Sequence, residues 1–317
     1  REHKNIKNTG ESTRAVHAGE RHCADKRSVT TPIYLTATYG FENTQALCDY
    51  LEGRSEQVSE YGRYGNPTQA VAETKLAYLE AADSALLFSD GMSALSTALF
   101  ALCKTGDEVV TTRDSYRGSQ KFLLTLMPKL GITIQFVETS LEAFEEVFAQ
   151  DLGNNSEGKP RRRVALLEYP TNPHLEVVDL KAFADLCKKY GVRTIADATL
   201  ATPYNVRPLK YGIDLVMHSA TKYLAGHNDV LGGVVAGKAP LVEAVKEVQG
   251  CLGGIMSPHT CYLLLRGLKT FALRMKFINE SAAKIAEYLA NHEKVDSVFY
   301  PHLKGHRNEG LAREQMV

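Results

Sequence analysis

The stretch VRTIADATLATPYNVRPLKYGIDLVMHSATK, residues 192–222, contains two short apolar runs, each followed at once by reactive side chains. VRTIAD closes on Asp197, and DLVMHS leads through Ser219 and Thr221 to Lys222. Apolar runs this short, without strict polar alternation, read as strands covered on both faces, and such strands occur in parallel sheets flanked by helices. If the two runs lie side by side and parallel, Asp197 and Lys222 stand at the same end of the sheet. Open α/β sheets bind their ligands at that end.

The same pattern extends upstream. SALLF (84–88), DEVVTT (107–112), ITIQFV (132–137) and RVALLE (163–168) read as further strands. Between them lie helical segments: TQAVAETKLAYLEAA (68–82), GMSALSTALFALC (91–103), SYRGSQKFLLTLMPKLG (115–131), SLEAFEEVFAQ (140–150) and DLKAFADLCKKYG (179–191). The alternation predicts an α/β domain with a mostly parallel sheet, spanning 61–254. Residues 1–60 are polar, with short helical pieces such as 43–53, and read as an extended arm that packs on another surface. A long helical stretch (259–293) and a strand-like VDSVFYP (295–301) read as the start of a C-terminal domain, 255–317, whose remainder is absent. DLGNNSEGKPRRR (151–163) reads as a surface loop.

Composition narrows the function classes. Lys plus Arg and Asp plus Glu number 37 each in 317 residues, so no basic field is present to draw nucleic acid or an anionic membrane. No run approaches the roughly 18 apolar residues of a membrane span, and the first thirty residues lack the apolar core of a secretory signal. A cytoplasmic location is expected, or a plastid one if a transit peptide preceded Arg1. The six cysteines (Cys23, Cys48, Cys103, Cys187, Cys251 and Cys261) form no C-x-x-C pair and read as reduced, packed thiols. No metal site is expected.

Six places carry candidate chemistry. Lys222 follows a buried strand between small hydroxyl residues, where burial would favour the uncharged, nucleophilic amine, with Ser219 and Thr221 able to donate to a phosphate. Asp197 can face a protonated ring nitrogen, although a strand-end aspartate also serves as an ordinary helix cap. Ser89-Asp90-Gly91-Met92-Ser93 joins a strand to a helix start, and the amides of Gly91 and Met92 offer an anion site there. Glu60-Tyr61-Gly62-Arg63 places Tyr61 and Arg63 two apart in an extended segment, pointing the same way toward one anion. At two other strand ends, Tyr116 can stack on a planar ring and Asn172 adds an amide.

GRYGNPT (62–68), SDGMSA (89–94), the tyrosine of RDSYRGS (113–119), PTNP (170–173), DATLATP (197–203) and HSATKYLAGHNDVLGG (218–233) occur in an order and spacing that resemble the Cys/Met-metabolism family of pyridoxal 5′-phosphate (PLP) enzymes. The resemblance covers nearly the whole chain and implies the aspartate-aminotransferase-like fold (PLP fold type I). It implies that Lys222 carries PLP as a Schiff base, Asp197 pairs with the ring nitrogen and Tyr116 stacks on the ring. Gly91, Met92, Ser219 and Thr221 would hold the phosphate, with Tyr61 and Arg63 reaching it from a neighbouring subunit. Thr199 belongs to the cofactor set, and Asn172 would lie near the ring oxygen and the substrate carboxylate. A homodimer with shared sites, assembled into a homotetramer, is implied as well.

Within the family, Gly118 stands where methionine γ-lyases carry cysteine, and Glu60 precedes Tyr61 where cystathionine enzymes place an acid to meet a substrate amino group. The implied activity is γ-replacement on a homoserine ester by cysteine, giving cystathionine. Cystathionine γ-lyase and O-acylhomoserine sulfhydrylase activities are the alternatives. A homologue that binds PLP without turnover is a different class, and a PLP-free Schiff-base aldolase would have no use for Asp197 or the phosphate groups. The family's carboxylate-binding arginine has no counterpart in this sequence.

Overall fold

A seven-stranded sheet organises the chain. Its strands are β1 (Ser84–Phe88), β2 (Glu108–Thr112), β3 (Thr133–Val137), β4 (Arg163–Glu168), β5 (Arg193–Asp197), β6 (Leu215–Ser219) and β7 (Gly233–Gly237), in the order β1-β7-β6-β5-β4-β2-β3. This computed structural model describes residues 9–19, 28–55, 60–155 and 158–317. From β3 to β6 all neighbours are parallel, whereas β7 lies antiparallel between β6 and β1. The sheet is therefore mostly parallel, as the strand pattern predicts.

Both faces of the sheet are buried, which is why the strands lack polar alternation. Val109, Val164, Leu166 and Ile195 pack into one apolar cluster, and their chain neighbours Val110, Ala165, Leu167 and Ala196 into another. Each set lies at alternate positions along the strands, so adjacent residues serve opposite faces.

The described helices are α1 (Glu11–His17), α2 (Thr44–Leu51), α3 (Pro67–Glu80), α4 (Gly91–Leu102), α5 (Arg117–Thr125), α6 (Leu141–Phe148), α7 (Leu180–Lys189), α8 (Thr202–Asn205), α9 (Ala239–Leu252), α10 (Pro258–Leu268), α11 (Phe271–Ala290) and α12 (Glu309–Gln315). Their starts are written locally. The Asn66 side chain accepts from the Thr68 amide at 2.9 Å with Pro67 in the first turn, and Asp90 accepts from the Ser93 amide at 2.9 Å.

Several expectations need correction. β7 is absent from the sequence reading because GVVAG is short and begins and ends in glycine. Those glycines are what admit it: a Cβ on Gly233 would overlap the Asp90 carbonyl, and one on Gly237 would lie 2.6 Å from the Asp214 carbonyl. The helical stretch at 259–293 is two helices, because Thr270 leaves helical geometry at ψ 5° and its hydroxyl takes the Gly267 carbonyl at 3.3 Å. VDSVFYP forms no strand; it runs through turn and irregular structure, with the Phe299 ring edge-on to His174. The 115–131 helix begins only at Arg117 and gives way after Thr125 to a tighter turn containing Pro128.

Arg163 is not in a loop but opens β4, bonded to Glu108 at 2.7 Å, while Arg162 pairs with Asp107 at 3.2 Å. Cys103, Cys187 and Cys261 are packed as expected, and burial pushes the Cys103 thiol up to about 12. Cys48 is half-buried and Cys251 is exposed, so uniform packing does not hold; Cys23 lies outside the described residues. No helix among the described residues is long and apolar enough to cross a membrane.

Candidate active site

The carboxyl ends of β4, β5 and β6 bring Glu168, Asp197 and Ser219 to one edge of the sheet, where Glu168 is directly opposite Asp197 and Asp197 opposite Met217. A cavity of about 670 Å³ opens over this edge. Nine of the residues singled out in the sequence line it: Gly91, Met92, Tyr116, Asn172, Asp197, Thr199, Ser219, Thr221 and Lys222.

Asp197 is the best-defined acid of the site. Burial raises its pKa, opposed by the Thr199 hydrogen bonds and by the charge of His218. Thr199 donates to Oδ1 from both its amide, at 3.0 Å, and its hydroxyl, at 2.5 Å. The same hydroxyl accepts from the Ser219 amide at 2.8 Å, which ties the ends of β5 and β6 together. Both bonds fall on Oδ1, so among the described residues Oδ2 is left for a donor in the cavity.

The first turn of α4 faces Ser219 across the cavity. A Cβ on Gly91 would lie 2.9 Å from Ser219 Cβ, so only glycine lets the helix start approach the end of β6 this closely. Asp90 caps the turn and collects the hydroxyls of Ser89, at 2.9 Å, and Ser93, at 2.8 Å. The twelve-residue helix presents its positive end to the space between Gly91 and Ser219.

Lys222 departs from the expectation of a buried strand-end lysine. β6 ends at Ser219, and Lys222 sits in the following turn, exposed along the cavity rather than packed in the sheet. The turn itself is bonded: Lys222 N–H to the Ser219 carbonyl at 3.2 Å, Gly226 N–H to the Lys222 carbonyl at 2.8 Å, and Gly232 N–H to the Thr221 hydroxyl at 3.0 Å.

Tyr116 is 48% exposed at the cavity mouth, and its amide donates to Glu168 Oε2 at 2.6 Å. A Cβ on Gly118 would overlap the Tyr116 ring, so no side chain fits at that position while the ring lies there. Glu168 is a site residue that the sequence reading passes over. Burial, and then the charge of Asp197, pushes its carboxyl up to about 8, against the pull of the Tyr116 N–H. The signal was available, since Glu168 ends RVALLE as Asp197 ends VRTIAD. Arg274 of α11 also lines the cavity and was likewise missed.

The Glu60-to-Arg63 segment does not join this cavity. Arg63 donates to the Gly250 carbonyl at 3.1 Å and lies over the rings of Tyr61 and Tyr64, 5.4 and 5.2 Å from their centroids. Tyr61 bridges to Thr38 and is 40% exposed. Glu60 Oε2 is buried with no hydrogen-bond partner among the described residues.

Comparison with known proteins adds the family. The chain is 41% identical over 305 residues to the chloroplastic cystathionine gamma-synthase 1 of Nicotiana tabacum, covering 96% of this chain and 55% of that protein. It is 38% identical over 304 residues to the cystathionine gamma-lyase of Bacillus subtilis, covering 96% of this chain and 75% of the relative. Among solved structures, cystathionine gamma synthase from Xanthomonas oryzae pv. oryzae, in complex with aminoacrylate and cysteine, superposes with a TM-score of 0.88 at 33% identity, over 97% of this chain and 75% of that one. The chain spans about half the length of the chloroplastic cystathionine gamma-synthases 1 of Nicotiana tabacum and Arabidopsis thaliana. With the "Cys/Met metabolism PLP-dependent enzyme" model matching residues 12–317, over a site whose lysine, aspartate and helix start converge on one cavity, the chain belongs to that family.

Proposed function

We propose that this chain catalyses γ-replacement on an activated homoserine ester, with cysteine as the incoming thiol and cystathionine as product. The carrying observation is the convergence of Asp197, Ser219, Lys222 and the α4 start on one cavity, with one Asp197 oxygen open to it. PLP fits these residues. Its phosphate matches the Gly91–Met92 helix start with the Ser219 and Thr221 hydroxyls, and its ring nitrogen suits Asp197 Oδ2. When bound, PLP supplies an electron sink for charge developing at the substrate Cα.

The chain's own groups do the rest. Lys222 would anchor the cofactor and, once freed by the substrate amine, would carry the protons that leave Cα and Cβ, while the acyl group departs from Cγ as a carboxylate and the cysteine thiolate takes its place. Asp197 would hold the ring nitrogen protonated, and its burial beside Thr199 and Glu168 would keep water from weakening that contact. Tyr116 would cover one ring face and assist proton movement, while Asn172 would orient the ring oxygen and the substrate carboxylate. Glu60 meets the substrate amino group, which would satisfy its buried, unpartnered oxygen. Tyr61 and Arg63 reach the phosphate of a neighbouring subunit. This reading takes 1–60 as an arm for oligomer contacts, 61–254 as the cofactor domain and 255–317 as the start of a C-terminal domain, in a homotetramer of two active dimers located in the cytoplasm or a plastid.

Two observations favour γ-replacement over lyase chemistry. Gly118 stands where a methionine γ-lyase is expected to carry cysteine, so this wall brings no thiol beside Tyr116. The plant relative named as a synthase is also more similar to the chain than the γ-lyase. The deciding assay gives purified protein O-acylated homoserine with and without cysteine. Cystathionine formed only with cysteine supports the reading. Release of a 2-oxo acid and ammonia from cystathionine, with no synthesis, would establish the γ-lyase alternative.

A further inference from the structure

Resting on the reading that Lys222 carries the cofactor, we propose that Arg274 is a positioning residue for Lys222, acting through the backbone of the turn that bears it. β6 delivers the chain to the cavity at Ser219, but Lys222 lies three residues later, in a turn running from Ala220 to Gly226. No strand fixes that turn.

Several of its carbonyls are satisfied from within. The Ala225 amide donates to Ala220 at 3.0 Å, the Gly226 amide to Lys222 at 2.8 Å, and the His227 ring contacts the Ala225 carbonyl at 2.7 Å. The carbonyls of Tyr223 and Leu224, immediately after the lysine, instead take the Arg274 guanidinium: Nη1 donates to Tyr223 at 2.7 Å and Nη2 to Leu224 at 3.2 Å. The rest of the fork is anchored where α10 meets α11, through Nη2 to the Gly267 carbonyl at 3.0 Å and Nε to the Thr270 hydroxyl at 3.1 Å. One planar group thus joins the lysine turn to a helix junction.

Two glycines make the clamp sterically specific. Gly226 has φ +73°, and a Cβ there would overlap Arg274 Nη1; a Cβ on Gly267 would overlap the Ala225 carbonyl. The turn is pressed onto the helices with no side chain intervening. Because four of the five N–H groups of Arg274 are committed to these acceptors, its presence in the cavity wall is explained by the turn.

The test uses apoprotein of wild type, Arg274→Met, Arg274→Lys and Thr270→Val. Pyridoxine 5′-phosphate, whose alcohol cannot bond covalently to lysine, reports phosphate and ring recognition alone. PLP reports capture by Lys222 through the growth of visible absorbance, with borohydride reduction and peptide mapping to locate the label. The proposal expects pyridoxine phosphate affinity within about twofold of wild type throughout, and capture slowed about tenfold in Arg274→Met, less in Arg274→Lys and a few-fold in Thr270→Val. Wild-type capture rates in Arg274→Met would overturn it, as would an equal loss of pyridoxine phosphate affinity, which would make Arg274 a general support of the fold. Should Arg274→Met fail to fold, an unchanged rate in Thr270→Val overturns it instead. Label on a lysine other than 222 in wild type would sink the reading of the site itself, and is thereby distinguished from a failure of the Arg274 proposal.

Discussion

The two regions proposed above to hold a phosphate behave in opposite ways. The groups that meet at the cavity with Lys222 come from five separate stretches of sequence, and the sheet gathers them there. The Glu60-to-Arg63 segment, continuous in sequence and as well equipped with polar groups, stays outside it, with Arg63 turned onto the Gly250 carbonyl and two tyrosine rings. A parallel sheet can only collect what lies at its own strand ends. A segment on the arm must be brought to a site by something else, and a second subunit is the reading proposed above.

Removing the lysine breaks the cavity side of this contrast most severely. Lys222→Ala should abolish borohydride-fixed label and lower turnover by about a thousandfold or more, while PLP is still recognised through its phosphate. Turnover retained near wild type would show that the cavity is not the site.

The next effect concerns stability within the cavity. Glu168 has an ordinary value of 4.5 and is pushed up to about 8 by burial and Asp197. At low pH both folded and unfolded chains hold its proton; between about 4.5 and about 8 the unfolded chain releases it while the fold retains it, so stability drains away as pH rises through that window. Glu168→Gln keeps an acceptor for the Tyr116 amide and removes the titration. Urea unfolding of the apoprotein should show the variant gaining on wild type across this window by about 2 to 4 kcal/mol. Parallel pH profiles would mean that Glu168 is not titrating there.

On the arm side the expected effect is smaller. Glu60→Ala should raise KM for amino-acid substrates by roughly five- to a hundredfold, the worth of one partly desolvated contact, with cofactor content unchanged. Wild-type kinetics would make Glu60 an ordinary buried carboxylate.

The unevenness of the site also explains what could be read in advance. Strands with continuous Val, Leu and Ile, such as RVALLE, were legible because burial on both faces leaves an unbroken apolar run. Lys222 and Asp197 were legible as strand-end polar groups. β7 was not, because the glycines that let GVVAG slip between Asp90 and Asp214 also erase its pattern. The exposure of Lys222 and the clamp from Arg274 were hidden for another reason: both depend on how a helix some fifty residues away packs on the turn, and local periodicity carries no record of that. Glu168 closes RVALLE as Asp197 closes VRTIAD, but that the two acids lie directly opposite each other depends on which strands pair, and sequence pattern does not give that.

Whether the arm motif completes the cavity of a second chain is tested most directly by mixing two inactive variants, Arg63→Ala and Lys222→Ala, under subunit exchange followed by mass. In a mixed dimer, the chain that keeps Lys222 meets the partner that keeps Arg63, so one of its two sites is whole. A random equal mixture should recover about a quarter of wild-type activity, since about half the dimers are mixed and each has one complete site. No recovery in a mixture whose exchange is confirmed would contradict a shared site and return Arg63 to its own chain, away from the cofactor.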